Sequence, residues 1–163
     1  MKGLLTGTVL AALLPWAAAA APSAPPPARF NDASIRNFIE QQERLWNTRA
    51  FALFYATFAP QATIATVHRG HGGPPTRSVR TLAQDRHAAE KFFASSHADI
   101  READWIEHIA IHPGARRATV RVRETTTIKV HGKVKVLHAV TEQVLVWRDE
   151  RIVSLGLREW DDR

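Results

Sequence analysis

Two alternating stretches carry a few ionisable residues among many valines. In 118–130 the even positions are Ala118, Val120, Val122, Glu124, Thr126, Ile128 and Val130. In 134–146 they are Val134, Val136, His138, Val140, Glu142, Val144 and Val146. Alternate residues of a strand share a face. Glu124 is then the single charge on one apolar face, and His138 and Glu142 interrupt the next. A third stretch adds Glu159 at the parity of Val153, Leu155 and Leu157. An ionised carboxylate without a partner loses several kcal/mol on burial. Against apolar walls its pKa rises, which suits a general acid or base near neutral pH. Glu124 and His138 are therefore the candidate catalytic pair, with Glu142 and Glu159 as further pocket residues.

Turn chemistry sets the expected register. A three-residue turn at 131–133 pairs Val130 with Val134, so Thr126 faces His138, Glu124 faces Val140 and Val122 faces Glu142. A turn at Asp149-Glu150 pairs Val146 with Val153 and brings Val140 opposite Glu159. Glu124, Val140 and Glu159 then form one row, the outer two backbones about 10 Å apart. His138 lies diagonal to both glutamates. Tyr55 and Trp105 are expected to supply an aromatic wall. A structural reading stands beside this one: the same acids pair with arginine, Arg36 being the available partner. Arg158 has the wrong parity and needs a bulge to turn inward.

The elements that must position these residues follow from patterning. Asn31 and Asp32 cap a first helix over 32–47, with Ile35, Phe38, Ile39, Leu45 and Trp46 as its apolar stripe. A short helix spans about 49–57 and ends at Ala59-Pro60; Thr63 to His68 reads as a strand. RGHGGPPTR, 69–77, is a loop. Thr81 and Gln84 form a capping box for a helix ending near 95, with Leu82, Ala89, Phe92 and Phe93 on its buried side. Four strands follow at about 101–112, 116–130, 134–147 and 151–160. The order α-α-β-α-β-β-β-β predicts an α+β domain, with about three N-terminal helices on one face of a curved antiparallel sheet.

This layout, with LWNTRAFALFYATFAPQATIAT at 45–66 and a helix containing KFF at 91–93, resembles the nuclear transport factor 2-like superfamily. Its SnoaL-like and ketosteroid isomerase-like branches are nearest. The Trp46-Asn47 pair and the Tyr55-x-x-Phe58-x-x-x-Ala62 stretch look like the opening of that fold. The resemblance covers roughly residues 31–161. It implies a cone-shaped cavity between helices and sheet, and frequently a dimer. The isomerase branch uses a base carboxylate with a tyrosine-plus-acid oxyanion hole; Tyr55 can be the pocket phenol, while the two acids have no matching positions.

Composition bounds the rest. The 163 residues suffice for one domain, and 45% hydrophobic with 23% charged residues is a globular composition. Cysteine is absent, which excludes disulfides, thiolate metal sites and cysteine nucleophiles. The net charge of +6 is scattered along the chain without a basic run or a nucleic-acid motif, so no nucleic-acid partner is expected. His68 and His71, and His108 and His112, lack a carboxylate spaced to complete a metal site, so neither metal nor cofactor is expected. The glycine loop lacks the Lys-Ser/Thr of a phosphate loop. Residues 1–20, with Lys2 ahead of an apolar run and small residues at Ala17–Ala21, read as a cleaved secretory signal, and 21–30 as a proline-rich linker before the domain at 31–163. The expected location is periplasmic or secreted, without stable membrane insertion.

The remaining sheet face carries Leu137, Ala139, Leu145, Trp147, Ile152 and Trp160, with no helix left to cover it. A homodimer through Leu137, Leu145, Trp147 and Trp160 is expected. The resulting expectation is an exported domain whose cavity holds a small, largely apolar organic molecule. Any turnover would be cofactor-independent isomerase, cyclase or lyase chemistry by general acid–base catalysis. The alternative is a non-catalytic dimeric interaction module of the periplasm.

Overall fold

The computed structural model describes residues 30–68, 74–113 and 116–161. The expected leader, and the linker up to its last residue, lie outside the described residues, as does His71. Among the described residues no helix is long and apolar enough to cross a membrane.

Helix α1, Asp32–Asn47, begins where Asn31 and Ser34 satisfy each other's backbone N–H groups, a capping box. Its buried residues Ile35, Phe38, Ile39 and Gln42 follow helical spacing and form one stripe against the sheet. The short α2, Phe51–Tyr55, leads into β1, Phe58–His68. The helix stops short of Ala59-Pro60, as expected, and Pro60 does not interrupt the strand that follows. It sits in β1, where pairing with the neighbouring strand is irregular between Phe58 and Thr63. Strand β2, Thr76–Thr81, begins inside the stretch expected to be loop; it is exposed throughout and lies at the sheet edge, so it carries no apolar alternation to betray it. Helix α3, Leu82–Ser95, has the expected Thr81–Gln84 capping box. Of its expected buried side, Leu82, Ala89 and Phe93 are half-buried, while Phe92 is 51% exposed and overhangs a cavity.

Strands β3 (Asp99–Ile111), β4 (Arg117–Val130), β5 (Lys133–Arg148) and β6 (Arg151–Asp161) complete a six-stranded sheet of order β2-β1-β6-β5-β4-β3. All pairs are antiparallel except β1 with β6. The architecture of the described residues is α+β: three helices on one face of a curved sheet, as expected, with β2 as an extra edge strand. One core cluster joins α1 to Ala118, Val120, Val122 and Leu145. A second lies around Phe58, Ala62, Ile64 and Val153.

The β4–β5 register differs from the expected one by a single residue. The turn contains two residues, not three: Val130 pairs with Lys133, and His131 and Gly132 take φ 47° and 77°. Positive φ at both turn positions suits a two-residue hairpin, because it matches the twist of the flanking strands. A one-residue slip turns every side chain of a strand over. Glu124 therefore faces Ala139, and Thr126 faces Leu137. The helix-covered face of β5 holds Leu137, Ala139, Thr141, Gln143 and Leu145; His138 and Glu142 point to the other side.

A second irregularity partly offsets the first. The β5–β6 pairing shifts between Gln143 and Leu145, so that Val146 still pairs with Val153 while Thr141 faces Glu159. Ser154 and Leu157 are thereby on the same face, with Leu155 and Gly156 forming the bulge. A side chain at Gly156 would press on the Thr63 carbonyl at 3.1 Å. Glu159 thus returns to the helix-covered face beside Glu124, and Arg158 stays outside.

The same flip removes the surface expected to join two copies. Leu145 is fully buried, and Trp147 and Ile152 pack against its core cluster. Leu137 lies at the cavity mouth. Trp160 alone of the four keeps the outer face, where the Arg121 and Arg158 guanidinium groups lie 5.4 and 5.8 Å from its ring.

Candidate functional site

Between the helices and the concave face of the sheet lies a cavity in two parts. The outer part is about 520 Å³ and is lined by Phe92, Phe93, Ile128 and Leu137 among others. It shares Trp46, Ile64, Asp85, Glu102 and Glu159 with an inner chamber of about 150 Å³, which Glu124, Thr141, Phe54 and Leu157 close. The walls are largely aromatic and aliphatic, and the floor is acidic.

The floor is built by β3 and β4. Glu102 pairs with Thr126 and Asp104 with Glu124, so both acids of β3 share the face of Glu124. Oxygens of Glu102, Asp104 and Glu124 lie within 4.8 Å of one another, a spacing that suits a cation. Among the described residues no salt bridge reaches any of the three. Arg36, the expected partner of the acids, pairs instead with Asp32 at 2.6 Å, one turn away on its own helix. Withdrawal from water is the main reason all three carboxyls bind protons more tightly than usual. It raises Glu124 to about 8, with Asp104 and Glu159 adding to the effect. It raises Asp104 to about 7, with a contribution from Glu43. Glu102 is pushed well above the ordinary range by burial, then by Glu124 and Asp104. Glu159 is raised by burial, a trend opposed by His68.

Sequence-local devices hold this floor in place. The Asn47 side chain, at the end of α1, donates to the Glu102 carbonyl and accepts from its N–H, both at 2.8 Å. It thereby pairs with the free edge of β3 as a neighbouring strand would. Arg49, in a left-handed conformation (φ 62°), donates to the Ile100 carbonyl at 2.8 Å and lies 3.8 Å over the Phe93 ring. Trp46 packs against Phe51, Phe54 and Phe93 with centroids 5.2–5.6 Å apart. The Tyr55 hydroxyl donates to Asp85 Oδ2 at 2.7 Å. Burial, and then that hydrogen bond, raises Tyr55 beyond the ordinary phenol range. Arg80 approaches the other Asp85 oxygen at 3.4 Å.

The expected site residues separate into two groups. Glu124 and Glu159 line the cavity, and Tyr55 reaches it through Asp85. His138 is exposed on the outer face, its Nδ1 3.3 Å from Thr125 Oγ1, so it cannot share a proton with Glu124. Glu142 lies on that outer face too, in register with Arg121 and Arg158. Trp105 is 72% exposed and lines neither part of this cavity; with Asp104, Arg36 and Glu43 it borders a separate cleft of about 170 Å³ beside α1. Trp46 supplies the wall instead. The residues missing from the sequence reading are Glu102, Asp104, Asp85 and Thr141. Two of them had a signal: Ile100, Glu102, Asp104 and Ile106 alternate as acids between isoleucines, the same pattern that singled out Glu124.

No described protein family and no curated protein matches the chain by sequence. Solved structures do match by shape. A ketosteroid isomerase-like protein from Erwinia carotovora atroseptica superposes with a TM-score of 0.58 at 15% identity, over 80% of this chain and 95% of that one. An NTF-2-like protein of unknown function from Shewanella oneidensis gives 0.58 at 15%, over 79% and 98%. The fold is nuclear transport factor 2-like. The β subunit of the benzoate 1,2-dioxygenase from Burkholderia mallei, at 0.62 and 12%, covers 81% of this chain and 91% of its own. At such identities the nuclear transport factor 2-like likeness concerns the fold, and the acids of this cavity must be read on their own terms.

Proposed function

We propose that this is an exported domain that binds a small, largely apolar organic molecule within its cone and exchanges a proton with it through Glu124. One observation carries the reading: an open cavity with aromatic and aliphatic walls ends on the Glu102 and Glu124 carboxyls, withdrawn from water and reached by no salt bridge among the described residues. Sites for small molecules combine such walls with a few convergent polar groups. With its proton affinity raised to about 8, Glu124 is mostly protonated at neutral pH and acts first as an acid. It donates to a basic or developing anionic atom of the ligand, and the carboxylate left behind is the base for the return step. Asp104 and Glu102, in the same cluster, favour keeping a proton on the floor because adjacent carboxyls disfavour joint ionisation. Tyr55 and Asp85 hold α2 against α3 at the side of the cavity.

Export is proposed on the leader-like composition of residues 1–20. A filled cavity, or Arg36 clamped on Glu124 or Glu159, would have favoured a non-catalytic interaction module. The cavity is open and Arg36 is engaged by Asp32, so the proposal is confined to a site built within one chain. Native mass spectrometry of the purified protein tests it. A small organic adduct, or stoichiometric uptake of an added apolar probe that Glu124→Gln weakens, is the expected result. Probe binding that is absent, or indifferent to Glu124→Gln and to Trp46→Ala, would overturn it.

A further inference from the structure

The inner chamber is more selective than a generic apolar pocket. Apart from Asp85, which Arg80 approaches, no salt bridge among the described residues reaches the acids that line it. Arg80 is turned to Asp85 at 3.4 Å, His68 to Asp161 at 3.5 Å, and Arg49 to the Ile100 carbonyl and the Phe93 ring. A second feature, on the neighbouring strand, points to a missing partner. Thr141 is 1% exposed and lines the chamber, where its hydroxyl eases ionisation of Glu124. Its Oγ1 is nonetheless buried without a well-formed hydrogen bond. One oxygen of Asp104 is buried and unpartnered as well. Buried polar atoms without partners are rare and are usually satisfied by something that binds.

We propose that the occupant of the inner chamber is the ammonium head of an organic amine, whose apolar body fills the outer cavity. This rests on the ligand-binding reading above and narrows it to a ligand class. An ammonium nitrogen holds three acceptors about 2.8 Å away at tetrahedral angles, which spaces those oxygens about 4.6 Å apart. Oxygens of Glu102, Asp104 and Glu124 all lie within 4.8 Å of one another. Thr141 Oγ1 can accept a further N–H or turn its proton to Glu124. The remaining walls favour an organic cation over a metal ion. Trp46 and Phe54 line the chamber beside the acids, and aromatic faces attract ammonium groups. A hard divalent ion needs about six or more oxygen ligands, whereas Ile64, Leu157 and the two rings offer none. Charge balance also fits: an arriving ammonium favours ionised carboxyls, so binding expels a proton that the empty floor holds.

The test uses a matched pair of probes, 1-naphthylmethylamine and 1-naphthalenemethanol, titrated calorimetrically into the purified protein at neutral pH. Two buffers of different ionisation enthalpy report proton release. The amine is expected to bind at least tenfold more tightly than the alcohol and to release protons. Glu124→Gln and Thr141→Val should each narrow that ratio, and near-UV circular dichroism checks that both variants are folded. Equal binding of the two probes overturns the ammonium assignment while leaving the apolar cavity reading intact. A preference for the amine that survives Glu124→Gln overturns it also. Binding of neither probe refutes the cavity reading itself. Saturable binding of Mn²⁺ that excludes the amine would reassign the acids to a metal ion and overturn the proposal.

Discussion

Replacing Glu124 by Gln should stabilise the protein, and the gain should grow with pH. The amide that replaces the carboxyl keeps the size of the protonated acid and cannot ionise. In the fold Glu124 takes up a proton at about 8, against 4.5 for an ordinary glutamate. The native state therefore binds this proton more tightly than the unfolded chain, and stability falls as pH rises between those values. Below about pH 4.5 both states are protonated and the group contributes no difference. At 1.36 kcal/mol per pH unit the full gap sets a ceiling of about 5 kcal/mol above pH 8, about 3 kcal/mol at pH 7 and under about 1 kcal/mol at pH 5. At about 3 °C per kcal/mol, the variant should melt about 10 °C higher than the parent near pH 7 and within a few degrees of it near pH 5. Urea or thermal unfolding of both proteins across about pH 5 to 8.5 is the assay. Parent stability should also decline over this range, since Asp104 shifts in the same sense. A variant destabilised equally at all pH values, or stabilised by an amount independent of pH, would refute the placement of Glu124 among unpaired acids away from water.

Three further outcomes follow from the geometry. Asn47→Ala removes both hydrogen bonds to the Glu102 backbone and should lower unfolding free energy by about 2 kcal/mol; amide hydrogen exchange should quicken first around Ile100–Asp104. Tyr55 is the single tyrosine, so absorbance near 295 nm reads it alone; it should resist ionisation in the folded protein to well above the ordinary phenol range, and Tyr55→Phe should destabilise by about 1–3 kcal/mol through loss of the Asp85 bond. His138→Ala should leave probe binding unchanged within about twofold, because the ring is exposed on the outer face; a tenfold loss would restore the proton-sharing pair read from strand parity.

Much of the fold was legible because it is local. The capping boxes at Asn31–Ser34 and Thr81–Gln84 differ in that only the second was read in full, yet both helices start where a side chain can satisfy the first N–H groups. Long β-rich runs separated by turn residues showed the four final strands. Strand β2 was invisible because an exposed edge strand needs no apolar face. The site was legible only in part. Parity alone picked out Glu124 correctly as an inward acid, since Val120 and Val122 share its face within one strand. Carrying that parity into β5 required the turn length, and a His-Gly pair with positive φ made it two residues instead of three. His138, Glu142 and the proposed dimer face all failed from this one step. Glu159 kept its place only because the β6 bulge reversed the parity once more.

The amino-acid sequence by itself determined the helix starts, the number of long strands, the α+β layering and the presence of acids on apolar faces. These depend on spacing within single elements, where 3.6-residue and two-residue periods act over a few neighbours. The tertiary structure decided which acids meet. Glu102, Asp104, Glu124 and Thr141 come from three strands, and their convergence depends on the β3–β4 and β4–β5 registers and on the docking of Asn47 on a sheet edge. A shift of one residue in any of these would leave every periodicity intact and scatter the cluster to opposite sides of the sheet.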